Sequence, residues 1–204
     1  MIESLKHWER FLHQRDTMPD LIQCALIHEQ FEAIHPFVDG NGRVGRLLIP
    51  LFLMERGRLS QPLLYLSDYI EAHRQDYYDL LQQVRTHGDW AAWLHFFLGG
   101  VEETSRAAVH QAGLLMDMRE AMRSHLHDKH RALALIDELF VNPYLTINRA
   151  AEVLGVSHPT ARSTMKILQD ADIVQEVTGR SWGRIYLAAP ILAAIEPESR
   201  GEMF

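Results

Sequence analysis

Apolar residues in the first two-thirds of the chain recur at helical spacing. Five of them near the N-terminus follow at intervals of three, three, three and one, on one face of a predicted helix: Ile2, Leu5, Trp8, Phe11 and Leu12. Similar patterns predict further helices over residues 19–34, 43–56, 66–84 and 90–122. No convincing strand pattern occurs before residue 174. The first part of the chain is therefore predicted to be entirely helical.

The last third of the chain has a different pattern. Helical periodicity predicts short helices over residues 131–141 and 146–155, and a third that begins after Ser157, a good N-cap residue. Residues 174–189 then predict two strands around a glycine-rich turn. Three helices followed by a β-hairpin is the order of a winged helix-turn-helix domain. We therefore expect a mainly α protein with a small winged helix-turn-helix domain at its C-terminus.

Composition restricts the class of protein. The chain has 204 residues, 47% of them apolar and 23% charged, which is ordinary globular composition and sufficient for one large or two small domains. No apolar run approaches the roughly 18 residues of a membrane span. The single cysteine excludes an intramolecular disulfide, and the N-terminus has no apolar signal core. These features predict a cytoplasmic protein that does not enter a membrane.

Charge changes along the chain. Residues 1–128 hold 12 Lys and Arg against 18 Asp and Glu, residues 129–190 hold 7 against 6, and residues 191–204 hold 1 against 3. The resulting net charges of −6, +1 and −2 sum to the −7 of the whole chain, which argues against non-specific nucleic-acid binding by the whole chain. We predict a domain boundary where the balance changes, with a helical core over residues 1–128 and the winged helix over 129–204.

The segment from His35 to Arg46 combines groups that bind phosphate. Gly40 and Gly42 permit a tight turn just before a predicted helix, whose first N–H groups would then point at one spot. Free N–H groups at a helix start bind anions. Arg43 and Arg46 lie three residues apart on one face of that helix, where two guanidinium groups can hold further phosphates.

The same segment carries a base and a carboxylate. His35 is a candidate base at the mouth of the loop, and Asp39 lies beside the predicted anion site, where a carboxylate commonly helps phosphates to hold Mg²⁺. A plain turn would account for the Asp-Gly-Asn-Gly sequence, but it does not explain the histidine and two arginines at these places. A dinucleotide-binding loop, which the three glycines Gly40, Gly42 and Gly45 imitate, needs a preceding strand, whereas a helix precedes this loop.

The segment HPFVDGNGRVGR resembles the signature of the Fic family, HPFx[DE]GNGRxxR, at every fixed position. The flanking sequences LIHEQFEAIHPF, LLIPLFLMERG and PLLYLSDYIE are similar to the family as well, so the resemblance covers about residues 1–125. Members with this pattern move AMP from ATP onto a hydroxyl group of a target protein. The resemblance thus implies a Fic-like helical core with protein adenylyltransferase activity, ATP as substrate and Mg²⁺ as cofactor.

The resemblance also assigns roles to residues. His35 would take the proton from the attacking Ser, Thr or Tyr hydroxyl, and Asp39 would bind the Mg²⁺ that bridges the α- and β-phosphates. Phe37 would pack inward and fix the loop. Five residues would bind the nucleotide, three as the anion hole and two as clamps on the β- and γ-phosphates: Gly40, Asn41, Gly42, Arg43 and Arg46.

Two elements of the family pattern are not visible in this sequence. The target-binding flap normally lies upstream of the helix that here starts near Ile2, and the inhibitory motif [ST]xxxE[GN] lies further upstream. The nearest match, from Ser67, fails at Ala72. Two expectations stay open, namely transfer that nothing restrains and transfer that is impaired because nothing aligns the target.

The predicted winged helix carries few cations for a DNA-binding module. Arg162 and Lys166 lie on its predicted recognition helix, and Arg180 and Arg184 flank the predicted wing turn. A net charge of +1 over residues 129–190 gives weak support for phosphate contacts. DNA binding and protein docking therefore both stay open. The alternative to a transferase is a DNA-binding or protein-docking regulator whose Fic core binds nucleotide without efficient transfer.

Overall fold

The computed structural model describes residues 1–180 and 182–195. Ser181, in the predicted wing turn, and residues 196–204, at the end of the predicted winged helix, lie outside the described residues. The chain divides into two compact units, of which the first comprises Met1–Ala108 and the second begins at Val109. This division falls within one long helix, and the boundary predicted at residue 128 from the charge pattern stays a prediction about where the second functional module begins.

Unit 1 is helical throughout, as its apolar periodicity predicts. Its helices are α1 (Ile2–Leu12), α2 (Asp20–Ile34), α3 (Asn41–Glu55), α4 (Leu66–Ala72), α5 (Arg74–His87) and the first part of α6 (Trp90–His125). The prediction of one continuous helix over 66–84 is wrong, because His73 leaves helical geometry (φ −115°, ψ 36°) and separates α4 from α5. The His73 backbone N–H donates to the Tyr69 carbonyl at 3.0 Å, and His73 Nδ1 lies 2.9 Å from the same oxygen.

The core of unit 1 forms where α2, α3 and α6 meet. Its largest fully buried side chains include Ile27 of α2, Ile49 and Leu53 of α3, and Trp93 and Phe97 of α6. Helix α2 is apolar on several faces because it lies among other helices, whereas α1 packs onto the core by one face only. The loop that carries the sequence motif joins α2 to α3, so the core holds both ends of that loop.

A buried histidine links three helices beneath the motif loop. His28 of α2 is 1% exposed, its Nδ1 lies 3.1 Å from the Gly45 carbonyl of α3, and its Nε2 lies 3.0 Å from the Tyr77 hydroxyl of α5. Because a carbonyl can only accept, Nδ1 carries the proton, and Nε2 then accepts from the tyrosine hydroxyl. The ring also stacks on Trp93, with planes 8° apart. His28 is therefore held as one neutral tautomer.

Unit 2 places a three-stranded sheet beside short helices. Its further elements are α7 (His130–Leu139), β1 (Tyr144–Thr146), α8 (Ile147–Leu154), α9 (His158–Asp170), β2 (Gln175–Glu176), β3 (Ile185–Leu187) and α10 (Ala189–Ile195). The sheet is antiparallel in the order β1–β3–β2, with Tyr186 opposite both Leu145 and Glu176. The expectation of no strand before residue 174 is wrong, since β1 is a three-residue strand, too short to give a periodic signal.

The helices of unit 2 begin and end at residues with clear physical roles. Thr146 caps α8, since its hydroxyl accepts from the Arg149 N–H at 3.2 Å. Gly155 ends α8 with a positive φ of 62°, which a glycine adopts without strain. The core beneath them is apolar, and its fully buried side chains include Leu135, Leu139 and Leu168. Of the helices in residues 1–180 and 182–195, none combines the length and the apolar character that crossing a membrane requires.

Gly100 and Gly99 offer a matched test of packing in unit 1. A Cβ at Gly100 would lie 2.5 and 2.6 Å from two ring carbons of Tyr69, a ring already in contact with His73 and Phe96. We expect Gly100→Ala to lower the free energy of unfolding by about 1–3 kcal/mol. A Cβ at Gly99 would meet only the Tyr69 hydroxyl at 3.8 Å. Gly99→Ala should therefore raise the free energy of unfolding by up to about 1 kcal/mol. Urea unfolding measures both, and equal effects would contradict the packing.

The buried His28 gives the fold a dependence on pH. Burial lowers the pKa of His28 from 6.5 to about 4, so below pH 6.5 the unfolded chain takes up a proton that the folded chain refuses. Stability should therefore fall as pH falls from 6.5 to 4, by about 3 kcal/mol from this group. Urea unfolding of the wild type and of His28→Gln across this range measures the effect.

We expect the variant to be less stable at pH 7 but to lose less stability on acidification. The carboxyls of Glu29 and Glu32 act in the opposite direction, because burial raises their pKa, but they are present in both proteins and cancel in the comparison. Parallel pH profiles for the two proteins would show that His28 is not the group responsible.

Candidate functional site

His35 lies at the turn where α2 ends and the motif loop begins. Its backbone is left-handed (φ 51°, ψ 58°), and its N–H donates to the Phe31 carbonyl at 3.0 Å. A histidine adopts this geometry only where the surroundings impose it. Pro36 follows and cannot continue the helix, so the chain leaves the core here. The imidazole of His35 is exposed, which makes it accessible to a reacting group.

The first turn of α3 presents free backbone N–H groups at the end of the loop. Gly40, the residue before α3, has a φ of 85°, and its carbonyl accepts from the Val44 N–H at 3.0 Å. Helix geometry leaves the N–H groups of residues 41–43 without an intrahelical acceptor. Gly42 leaves room for the guanidinium of Arg46, whose Nη1 would lie 3.2 Å from a Cβ at this position. This arrangement suits an anion.

Two exposed charges lie beside this helix start. Arg43 Nη2 is 3.3 Å from Asp39 Oδ2, and their side chains are 76% and 91% exposed. The other carboxylate oxygen of Asp39 accepts from the Gly40 N–H at 2.7 Å. An ion pair in such solvent exposure contributes little to stability. Both side chains are therefore free to exchange this contact for a phosphate or a cation at small cost.

The positive charges of this site act on a buried carboxylate that no sequence pattern marks. Glu32 of α2 is 8% exposed, and its Oε1 has no hydrogen-bond partner among the described residues. Burial raises the pKa of Glu32, whereas the positive charges of His35, Arg46 and Arg85 oppose that rise. Glu32 Oε1 also lies where a Cβ of Gly45 would be, which explains the glycine inside the motif. The residues shortly before it in α2, His28, Glu29 and Gln30, are polar as well, so the local pattern gave no sign that Glu32 is buried.

The loop is fixed by a different side chain from the one expected. Phe37 was predicted to pack inward, and this is wrong, because its side chain is half exposed. Its ring centroid lies 6.3 Å from that of Phe31. Asn41 is the buried residue, at 2% exposure. Its amide bonds to both backbone polar groups of Phe37. A polar residue is buried here in place of the aromatic one because the backbone N–H and C=O groups of the loop need hydrogen-bond partners.

Asp39 is the one residue of the motif whose chemistry suits a divalent cation. In residues 1–180 and 182–195, no three His, Cys, Asp or Glu side chains gather as a ligand set. Mg²⁺ often binds through one or two carboxylates, with phosphates and water as its other ligands. A single exposed carboxylate beside an anion site fits that mode of binding.

Unit 2 contains a groove of about 1200 Å³ beside α9. Its cationic side chains are Arg162 and Lys166 of α9 and Arg184 at the start of β3, and Trp182, 87% exposed, lies on its rim. Arg180, also predicted to flank the turn, is exposed but does not line the groove. The groove includes acidic side chains as well, those of Asp170 and Asp172. Its charge is thus mixed.

Comparison with known proteins identifies the motif-bearing part of the chain. Residues 1–53 match the Fic/DOC family. A protein named as a probable protein adenylyltransferase from Aquifex aeolicus is 37% identical over 75 residues, which are 37% of this chain and 22% of that protein. The protein adenylyltransferase Fic of Aedes aegypti is 33% identical over 102 residues, 49% of this chain and 19% of that protein. The chain thus spans about a fifth of the length of these curated relatives.

A solved structure extends the likeness to most of the chain. The crystal structure of a Fic family protein from Desulfovibrio desulfuricans G20 matches with a TM-score of 0.51 and 25% identity. The match covers 92% of this chain and 54% of that one. This structural match agrees with the mainly helical architecture of unit 1. Residues 1–53, which include the loop between α2 and α3, are thus similar to the Fic/DOC family, and the likeness to a Fic family structure extends over most of the chain.

Proposed function

We propose that unit 1 is a protein adenylyltransferase, which moves AMP from ATP onto a Ser, Thr or Tyr hydroxyl of a target protein. One observation carries the proposal: an exposed histidine, three free helix N–H groups and two arginines all belong to one loop and the helix it enters. The names of the relatives support the same reaction class. Phosphoryl transfer requires positioning and charge stabilisation, which are what these groups can supply.

The proposed chemistry assigns one task to each group. The imidazole of His35 takes the proton from the target hydroxyl as its oxygen attacks the α-phosphorus of ATP. The bond from that phosphorus to the bridging oxygen breaks, and pyrophosphate leaves. The N–H groups of Asn41 and Gly42 hold the α-phosphate oxygens, joined by that of Gly40 once Asp39 Oδ1 has released it. Arg43 and Arg46 hold the β- and γ-phosphates. AMP remains on the target.

Asp39 would hold the cation in this proposal. Bound Mg²⁺ supplies charge neutralisation on the phosphates of ATP. Asp39 would release Arg43 from their exposed ion pair as it turns toward the cation, so that the guanidinium becomes available to the nucleotide. The two side chains would therefore change partners together.

A second proposal concerns unit 2, which we infer to be a winged helix-turn-helix domain. The order of α7, β1, α8, α9 and the β2–β3 hairpin supports it, and so does a groove lined by Arg162, Lys166 and Arg184. DNA is one partner that this groove suits, and an acidic protein surface is the other. If unit 1 binds nucleotide without efficient transfer, the whole chain becomes a regulator that reads nucleotide and acts through unit 2.

Replacement of His35 tests the transferase proposal. We expect His35→Ala to reduce transfer at least about 100-fold, since general-base catalysis commonly contributes that much. ATP affinity should stay essentially unchanged, because the imidazole does not belong to the proposed phosphate site. The measurement is incorporation of label from ATP labelled on its α-phosphate, with Mg²⁺, by the protein alone and in cell lysate.

The matched control is His110→Ala, which removes another exposed histidine, on α6. It should transfer like the wild type. Unchanged labelling by His35→Ala would remove His35 as the base, and ATP binding by a wild type that labels nothing would favour the regulator.

The groove of unit 2 makes a separate prediction about DNA. If the full-length chain binds duplex DNA at low salt, Arg162→Ala and Lys166→Ala should each weaken binding. Each should also reduce by about one the number of counterions released on binding, which is the slope of log K against log salt concentration. Arg131→Ala is the control, since Arg131 is exposed on α7 and does not line the groove. A gel shift over a salt series measures this. The absence of any shift at roughly micromolar protein would favour protein docking.

A further inference from the structure

The side chain of Asn41 is turned away from the proposed phosphate site and into the loop. Its Oδ1 accepts from the Phe37 N–H at 2.9 Å, and its Nδ2 donates to the Phe37 carbonyl at 2.6 Å. With 2% exposure, it leaves neither bond open to water. Both backbone polar groups of Phe37 are thus paired with one side chain, in the way that two residues pair in a sheet.

We propose that Asn41 is a positioning residue, a side-chain latch that fixes His35 relative to the phosphate-binding first turn of α3. The inference rests on the proposed adenylyl transfer and deepens it. The resemblance to the family gave Asn41 a place in the anion hole, and its backbone N–H keeps that place. The latch is a separate role for the side chain.

The covalent chain explains how the latch reaches His35. Only Pro36 lies between His35 and Phe37, and the proline ring fixes its own φ. Fixing both peptide groups of Phe37 therefore fixes the exit of the chain from His35. The other end of the latch, Asn41, is the first residue of α3 and directly precedes the segment that carries Arg43. One side chain thus couples the base to the phosphate clamps.

The latch requires an amide of this length. Phe37 presents one donor and one acceptor, so the partner must offer one acceptor and one donor side by side. An ionised carboxylate offers two acceptors and would face the Phe37 carbonyl with a negative oxygen. A protonated carboxylic acid again offers one donor and one acceptor. Asn41→Asp should therefore restore the latch when it is protonated and break it when it is ionised.

The decisive experiment measures kcat at saturating ATP against pH for the wild type, Asn41→Asp and Asn41→Leu. At about pH 8 both variants should be about 10–100-fold slower than the wild type, the order expected when reacting groups are misplaced by about 1 Å. The ratio of the kcat of Asn41→Asp to that of the wild type should rise as the pH falls to about 5.5, because a buried carboxyl protonates above its usual pKa. The ratio for Asn41→Leu, which has no ionisable group, should stay flat.

Nucleotide affinity separates the latch from a direct phosphate contact. A latch predicts that Asn41→Leu loses kcat by a larger factor than it loses ATP affinity, because the backbone N–H groups of α3 remain. A larger loss of ATP affinity than of kcat, or a flat ratio for Asn41→Asp, would overturn the proposal. Asn142→Asp is the control, since Asn142 Oδ1 only accepts, from the Tyr144 N–H at 3.0 Å, and both oxygens of a carboxylate can do the same.

Hydrogen exchange tests the latch independently of activity. The Phe37 N–H should be protected in the wild type and should exchange about tenfold faster in Asn41→Leu, while amides in the middle of α2 keep their protection. Loss of protection throughout α2 would mean that Asn41→Leu is unfolded. In that case the pH dependence of kcat in Asn41→Asp becomes the test of the latch. If the wild type transfers no AMP, the proposed function fails, whereas an unprotected Phe37 N–H in the wild type refutes the latch itself.

Discussion

The close packing of α2 against α3 at Gly45 is the constraint on which the motif loop depends. A Cβ at this glycine would clash with Oε1 of Glu32 and would lie 3.3 Å from ring carbons of His28 and Phe31, all three on α2. His28 additionally bonds to the Gly45 carbonyl at 3.1 Å. Since α2 ends at one side of the loop and α3 begins at the other, the distance between these helices sets the span that the loop bridges. A larger residue at this place would move the two ends of the loop apart.

Buried and exposed polar groups have different tasks in unit 1. His28 and Asn41 are buried, where an unmade hydrogen bond is costly, so their hydrogen-bond partners hold them in one arrangement. Asp39 and Arg43 are exposed, and solvent weakens their attraction. The rigid groups thus hold the frame of the loop, whereas the exposed ones can change partners when an anion arrives. This division suits a site that must be preorganised and still admit a nucleotide.

The polar side chains of unit 2 are arranged differently from those of unit 1. Its core is apolar, and its polar side chains line a groove of mixed charge, with Arg162 and Lys166 opposed by Asp170 and Asp172. Acidic side chains near a phosphate backbone weaken the attraction that basic ones provide. The same mixture is compatible with a protein surface of complementary pattern. The functions proposed for the two units therefore rely on different interactions, local anion binding in the first and a broad groove in the second.

The sequence by itself determined the helical character of unit 1 and the chemistry of its loop. Periodicity is a local property, and so is the order of His35, Asp39, Arg43 and Arg46, so both can be read from neighbouring residues. Their proposed roles came from the resemblance to the Fic family and stay predictions. Local patterns failed where the signal was short or absent, as with β1 and with the break at His73.

Only the tertiary structure decided which polar residues are internal. Phe37 was expected inside and is half exposed, whereas Asn41 is buried, because the loop needs a partner for its backbone groups more than it needs an apolar contact. The burial of Glu32 and the fixed tautomer of His28 also arise from contacts with α3 and α5, which are distant in sequence. Burial depends on what packs against a residue from elsewhere in the chain, and periodicity along one helix does not contain that information.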